Sequence, residues 1–497
     1  MSVPRPPMSV RGAAVWAMAG QYLSFAIQFA SSVVISRLFL SPGEVGLFSI
    51  ALAAALLVAI LQDFGLSRYI SGLRDIDDGE VRRCSSVALL FSLLVAAMIA
   101  ALAWPLAQLY HLPALTPLLT IIASSYLFLP LAVVPMALMA REMRFDRHFL
   151  INVGGAAAQG GVAITLAAMG YSAFALAWAT VAAGLARGLI AQVLRPSLPW
   201  PPRLDGLRTV IGFGTRSSVL YLTGALGTRT PDLILGKLVT LTSVGLYSRA
   251  SSLSDQFRTL ISGAIGSVFF PAFARIRDRG EDLGPPYLRV CAGYSAVVWP
   301  GMAGLALASE PIVRVLYGDK WMGVAPLLLM ISVAEIGLVS LPLVSDIPIL
   351  MGRMNRLLAY NAVDTAMSLI LLALGAWWGG VEGAAASRII YAVAWLALYA
   401  GFMHRLVGFD RRGLLSIYLR SAVATAAAIG PLAIAYLCWA GPATIGIPAL
   451  LLAVALGAGC WLAALALLRH PALDELLAMA SAVPPLRPLA ARLGRAA

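Results

Sequence analysis

Charge is scarce in this chain. Of 497 residues only 12% are Asp, Glu, Lys or Arg, whereas 60% are hydrophobic and the mean hydropathy is +0.86. A soluble protein of this length needs a charged surface that these proportions cannot supply. Cysteine is scarce too: Cys84, Cys291, Cys438 and Cys460 stand far apart, which argues against a disulfide framework or a thiolate metal site. The four histidines, His111, His148, His404 and His470, show no ligand spacing, so no metal is expected. A Walker-type glycine loop is missing, which argues against an ATP-hydrolysing pump, and no cofactor is expected. The short alternating segments of a membrane β-barrel are missing as well.

What the chain does have is apolar runs of about 20 residues, long enough to cross about 30 Å of hydrocarbon. Fourteen can be placed: roughly 13–36, 43–66, 84–107, 114–138, 148–169, 171–193, 207–230, 244–270, 287–308, 323–348, 357–378, 382–407, 417–440 and 443–468. The twelve residues before the first are too short for a cleaved signal peptide, so that span is expected to be an uncleaved anchor. With the N-terminus in the cytoplasm, 26 of the 36 Lys and Arg fall on the cytoplasmic side and five outside. That asymmetry predicts that both termini are cytoplasmic. It also accounts for the net charge of +13 without nucleic acid as a partner.

The sequence repeats itself. "SRLFLSPGEVGLFSIA" (36–51) matches "GKLVTLTSVGLYSRA" (236–250), opening spans 2 and 8. "PMALMAREMR" (135–144) matches "PILMGRMNR" (348–356) in spans 4 and 10, preceded by Pro130 and Pro342. Both pairs relate span n to span n+6, and six is even, so the two halves keep one orientation in the membrane. The expected architecture is an all-α polytopic membrane protein with two pseudo-symmetric six-helix lobes around a central cavity and two further C-terminal helices. The lobes are expected at 1–200 and 201–410, the extra helices at 411–470, and a basic cytoplasmic tail at 471–497.

The lobes differ chemically. After "VGLFS" span 2 continues almost purely apolar, whereas span 8 reads "RASSLSDQFRTLIS". Ser248, Ser251, Asp255, Arg258 and Ser262 recur at steps of three and four, forming one polar stripe flanked by Arg249. Arg216, Glu335, Asp346, Asp364 and Arg388 also fall inside apolar spans. An arginine at a helix centre costs about 2.5–3.5 kcal/mol on insertion scales, so these groups must face protein, water or one another. Two readings stay open. One is a hydrated cavity in which Arg216, Arg249, Ser251, Asp255, Arg258 and Arg388 bind an anionic headgroup, with Glu335 and Asp364 available to carry a coupling ion. The other is internal pairing, Asp255 with Arg258 and Glu335 or Asp364 with Arg388. Arg187, near a cytoplasmic helix end, is expected to snorkel.

At these same stretches the chain resembles the polysaccharide transporter family, the Wzx-type oligosaccharide flippases of the wider MATE/MurJ-like exporter superfamily. The motifs are "SRLFLSPGEVGLFSIA", "LQDFGLSRYI", "ALMAREMRFDRH", "DLILGKLVTLTSVGLYSRASSL", "VFFPAFARIRD" and "EPIVRVLYGDKWMGVAPLLLMIS", in family order across roughly 35–330. The resemblance implies a transporter, not an enzyme. It would carry polyprenyl-pyrophosphate-linked oligosaccharide repeat units from the cytoplasmic to the outer leaflet of a bacterial inner membrane by alternating access, for surface polysaccharide or exopolysaccharide biosynthesis. It implies as partners the lipid-linked oligosaccharide, the lipid bilayer, and polysaccharide polymerase and export proteins. Alternatives in the same architecture are a cation-coupled multidrug exporter and an exporter of a lipid-linked peptidoglycan precursor; a membrane-embedded glycan polymerase is a third.

Overall fold

The computed structural model describes residues 9–60, 66, 69–70, 76–197, 227 and 230–473, except the side chains of 10, 11 and 261–272. Most of the expected span 207–230, with Arg216, lies outside the described residues, as do the Ser262 side chain and the tail beyond residue 473. The described residues are mainly helical and contain no strand. Seven helices come first: α1 Val10–Leu38, α2 Pro42–Ala59, α3 Asp78–Tyr110, α4 Leu115–Tyr126, α5 Pro130–Arg141, α6 Phe145–Ala168 and α7 Ala173–Leu194. Then follow α8 Leu241–Asp278, α9 Gly284–Leu307, α10 Ser309–Tyr317, α11 Val324–Leu338, α12 Asp346–Leu350, α13 Met354–Val407, α14 Arg411–Cys438 and α15 Ile447–Leu467. Among the described residues ten are long and apolar enough to cross a membrane, with α4 and α5 counted as one. Helix α13 is two of the expected spans, joined where Gly379 and Gly380 leave helical geometry; Gly380, at φ 58°, takes a turn that a side chain would strain.

The chain divides into two compact units, Met1–Gly245 and Leu246–Ala497. In the first, α1 lies on α6, α6 on α7, and α7 on α4 and α5. In the second, α9 lies on α11 and α14, and α11 on α13. Alanine and glycine dominate many of these buried faces, as on α7 (Ala175, Ala179, Gly188), because small residues let membrane helices approach closely.

The duplication read from the sequence recurs as local geometry. Span 4 is interrupted before Pro130, giving α4 and α5, and span 10 is interrupted around Pro342, giving α11 and α12. Proline causes both breaks, since it lacks an N–H and clashes with the preceding turn. Each second piece then ends in the same reversal. Met143 (φ 54°) and Gly352 (φ 68°) take left-handed backbone, and the next N–H reaches back five residues, Arg144 to the Met139 carbonyl and Arg353 to the Pro348 carbonyl, both at 2.8 Å. A third pair becomes visible only here. Tyr110-His111 and Tyr317-Gly318 both place the second residue at positive φ (56° and 80°), and Pro-Leu-Leu follows each, at 117–119 and 326–328.

The glycines of the two "VGL(F/Y)S" copies, Gly46 and Gly245, meet within the first unit. Ser41 caps α2 by accepting the Glu44 amide, and Thr240 accepts the Ser243 amide at the start of α8. A Cβ on Gly46 would lie 2.0 Å from the Leu241 carbonyl oxygen, and one on Gly245 1.8 Å from the Pro42 carbonyl oxygen. Each glycine thus touches the carbonyl four residues before the other, a reciprocal close approach of two backbones.

In the second unit a hydroxyl chain ties the last two helices down. Ser295 of α9 and Ser421 of α14 are 2.8 Å apart, and Ser421 is 3.0 Å from His470 Nε2. The Ala472 amide donates to His470 Nδ1 at 3.2 Å, so that nitrogen carries no proton and the ring is neutral. Burial, reinforced by nearby Arg420, pulls the imidazole below its usual value, against the Ile417 carbonyl, which favours the proton. The unfolded chain therefore binds the proton first as pH falls. The stabilisation is complete above about pH 6.5 and is lost as pH drops through the lower folded value. Hydrogen-exchange protection over 465–473 should fall on acidification across that window, and should lose this dependence in His470→Gln. Unchanged protection in the native chain would overturn the assignment.

Candidate functional site

The polar stripe predicted on span 8 lies on α8, where steps of three and four residues bring Ser251, Asp255 and Arg258 to one face. Ser251 is half-buried, and the Asp255 and Arg258 side chains are 60% and 35% exposed. Their partner comes from α11, an apolar helix whose last turn carries Glu335 with its side chain only 5% exposed. The second arm of α13 supplies Arg388.

Three ion pairs join these groups. Arg258 Nη2 lies 3.1 Å from Asp255 Oδ1, Arg258 Nε lies 3.0 Å from Glu335 Oε2, and Arg388 Nη2 lies 3.3 Å from Glu335 Oε1. One buried carboxylate is thus shared by two guanidiniums, one on each oxygen. The four groups together carry no net charge, which is how two arginines can be held inside an apolar segment. On α13 Asp364 accepts the Tyr391 hydroxyl at 2.9 Å, and the Arg388 guanidinium lies 5.8 Å from the centre of the Tyr391 ring. Arg388 therefore stands between the two carboxylates expected to carry an ion.

Arg249 sits elsewhere. Nine residues before Arg258 on the same helix, it is about 13 Å away along the axis. Its guanidinium lies 5.6 Å from the Tyr317 ring and 5.5 Å from that of fully buried Trp321, a cation–π clasp. Asp346 differs from the sequence reading: it is exposed, because the break near Pro342 puts it in the first turn of α12, where a carboxylate suits the helix dipole. Tyr317, Trp321 and Tyr391 were not singled out as site neighbours. Tyr317 and Trp321 lie 68 and 72 residues after Arg249, beyond any spacing rule, whereas Tyr391 stands three residues after Arg388, a helical spacing that could have pointed to it.

These features define a multi-pass helical membrane protein: a long, interrupted helical scaffold with a charge-balanced arginine cluster among its helices. Over residues 34–326 the chain matches the polysaccharide biosynthesis protein family, and it belongs to that family. The matched range nearly coincides with the 35–330 stretch that carried the motifs. Among characterised relatives it is 21% identical over 382 residues to the lipopolysaccharide biosynthesis protein WzxC of Escherichia coli K12, covering 74% of this chain and 76% of that one. It is 24% identical over 357 residues to the succinoglycan biosynthesis transport protein ExoT of Rhizobium meliloti, covering 68% of each. Its fold is that of the lipid II flippase MurJ in an inward closed conformation, with a TM-score of 0.72 at 12% identity over 91% of this chain and 98% of that one.

Proposed function

We propose that the protein carries lipid-linked oligosaccharide repeat units from the cytoplasmic to the outer leaflet of a bacterial inner membrane, for surface polysaccharide or exopolysaccharide synthesis. Family membership and the exporter fold support this reading, and the shared Glu335 carboxylate carries it. A pyrophosphate offers several oxygens to planar guanidinium forks, so it can replace Glu335 on Arg258 and Arg388 without leaving either arginine unpaired. Glu335 then acts as a resident stand-in for the substrate anion. A cation on the displaced carboxylate, or on Asp364, keeps the site near neutrality and links transport to an ion gradient. The polyprenyl tail stays in lipid, so only the headgroup needs the polar path. Both termini lie in the cytoplasm in this scheme, and polymerase and export proteins act on the delivered repeat unit.

The test is where repeat units accumulate. In a strain lacking the gene, surface polymer should be lost and completed lipid-linked units should remain on the cytoplasmic face. Units that reach the outer face but stay unpolymerised would point to an enzymatic step instead. In the complemented strain Arg258→Ala should lower export by about tenfold or more, the value of one charge-assisted contact, with Arg258→Lys intermediate.

A further inference from the structure

The first unit contains an open cavity of about 490 Å³ lined by α1, α6 and α7, outside the charge cluster described above. Among the described residues Arg187 of α7 is the one charged residue lining it, and none of the described carboxylates is part of the lining. Arg187 is half-buried, with Nε shielded from solvent, and makes no hydrogen bond or ion pair with the described residues. Its aliphatic stem crosses α6 directly above Gly155, where a Cβ would come within 2.4 Å of Cγ and 2.5 Å of Nε. A glycine at that point gives the side chain its route across α6.

The other polar lining residues are uncharged. Gln21, Ser24 and Gln28 come from one face of α1 and Asn152 from α6. His148 donates from Nε2 to the Met136 carbonyl at 2.9 Å, which leaves Nδ1 able to accept a hydroxyl. The remaining wall is aromatic, with Trp16 and Phe149 edge to face at 5.2 Å. Aromatic surface suits the C–H face of a sugar ring, amides suit its hydroxyls, and an arginine without a carboxylate suits phosphate. The cavity lies at the start of α1, the start of α6 and the end of α7, the ends that the Lys and Arg asymmetry places at the cytoplasmic leaflet.

We propose that this cavity is a binding site for the polyol-phosphate headgroup of a lipid in the cytoplasmic leaflet, with Arg187 holding the phosphate and Gln28 and Asn152 reading hydroxyls. The headgroup comes either from a glycosyl pyrophosphate lipid or from a glycerol-bearing phospholipid. The site stands on the first unit alone, and binding is measured without translocation, so its failure leaves the transport reading intact.

The experiment uses the full chain in phosphatidylcholine nanodiscs, with exposed Cys438 and Cys460 changed to Ala and exposed Gln21→Cys as reporter. The rate of maleimide labelling at position 21 is followed against farnesyl-pyrophosphoryl-glucose and, separately, phosphatidylglycerol. At least one should slow labelling. Protection by the glucosyl lipid assigns the headgroup to a glycolipid; protection by phosphatidylglycerol assigns it to the bilayer. Arg187→Ala should raise the half-protecting concentration by about ten- to a hundredfold, and Arg187→Lys by less. Gly155→Ala, which keeps the charge but moves the side chain, should weaken protection as well. Labelling that neither lipid slows, or protection unchanged in Arg187→Ala, overturns the proposal.

Discussion

Glu335→Ala is expected to be the most destabilising single substitution in the charge cluster, costing about 3–5 kcal/mol, the range for removing one partner of a buried ion pair. Two arginines depend on this one carboxylate. Without it Arg258 keeps exposed Asp255, but Arg388 keeps the Tyr391 ring and no ion-pair partner among the described residues. Arg258→Ala should cost less, because Glu335 retains Arg388 and the position is partly solvated. The double variant Glu335→Ala/Arg388→Ala should be more stable than the two single losses added together, since it removes both members of a buried pair. Thermal unfolding of the purified protein in detergent measures this order. A Glu335→Ala transition close to that of the native chain would mean the carboxylate is not the hub of the cluster. Glu335→Gln separates stability from transport. It keeps the volume but removes the charge that holds both arginines, so export should fall further than the melting transition does.

Any side chain at Gly46 or Gly245 is expected to break the crossing of α2 and α8 and to stop export. The neighbours that a Cβ would meet, at 2.0 and 1.8 Å, are backbone carbonyl oxygens, which cannot rotate away as a flexible side chain could. The helices must part by roughly an ångström or more, and overpacking of this kind costs at least about 1–3 kcal/mol. A cross-link reports the crossing directly, because a Cβ on Gly43 would stand 3.5 Å from Thr242 Oγ1. Gly43→Cys with Thr242→Cys should form a disulfide in the native background and fail to form beside Gly46→Val. A cross-link that survives Gly46→Val at full yield would show that the contact is dispensable.

Much of the scaffold could be read from the chain because membrane insertion is a local rule. Twenty apolar residues must become a helix when no water is present to satisfy the backbone, so span positions follow from composition. The proline breaks of spans 4 and 10 were likewise marked by Pro130 and Pro342. Site residues were legible where the signal was periodic: Asp255 and Arg258 declared themselves by their spacing on α8. Gln21, Ser24 and Gln28 of α1 carry the same three- and four-residue spacing, but without charges they drew no notice beside it.

By itself, then, the sequence determined helix content, the doubled scaffold and the family, because each depends on short stretches read in order. Tertiary structure decided which charges meet. It placed Glu335 between arginines that come from different helices, and sent Arg249 to an aromatic clasp although it neighbours the same stripe. It left Arg187 beside a polar cavity where a snorkelling side chain was expected. Pairing across helices depends on distance in space, and a buried charge takes whichever partner the packed helices bring within about 4 Å.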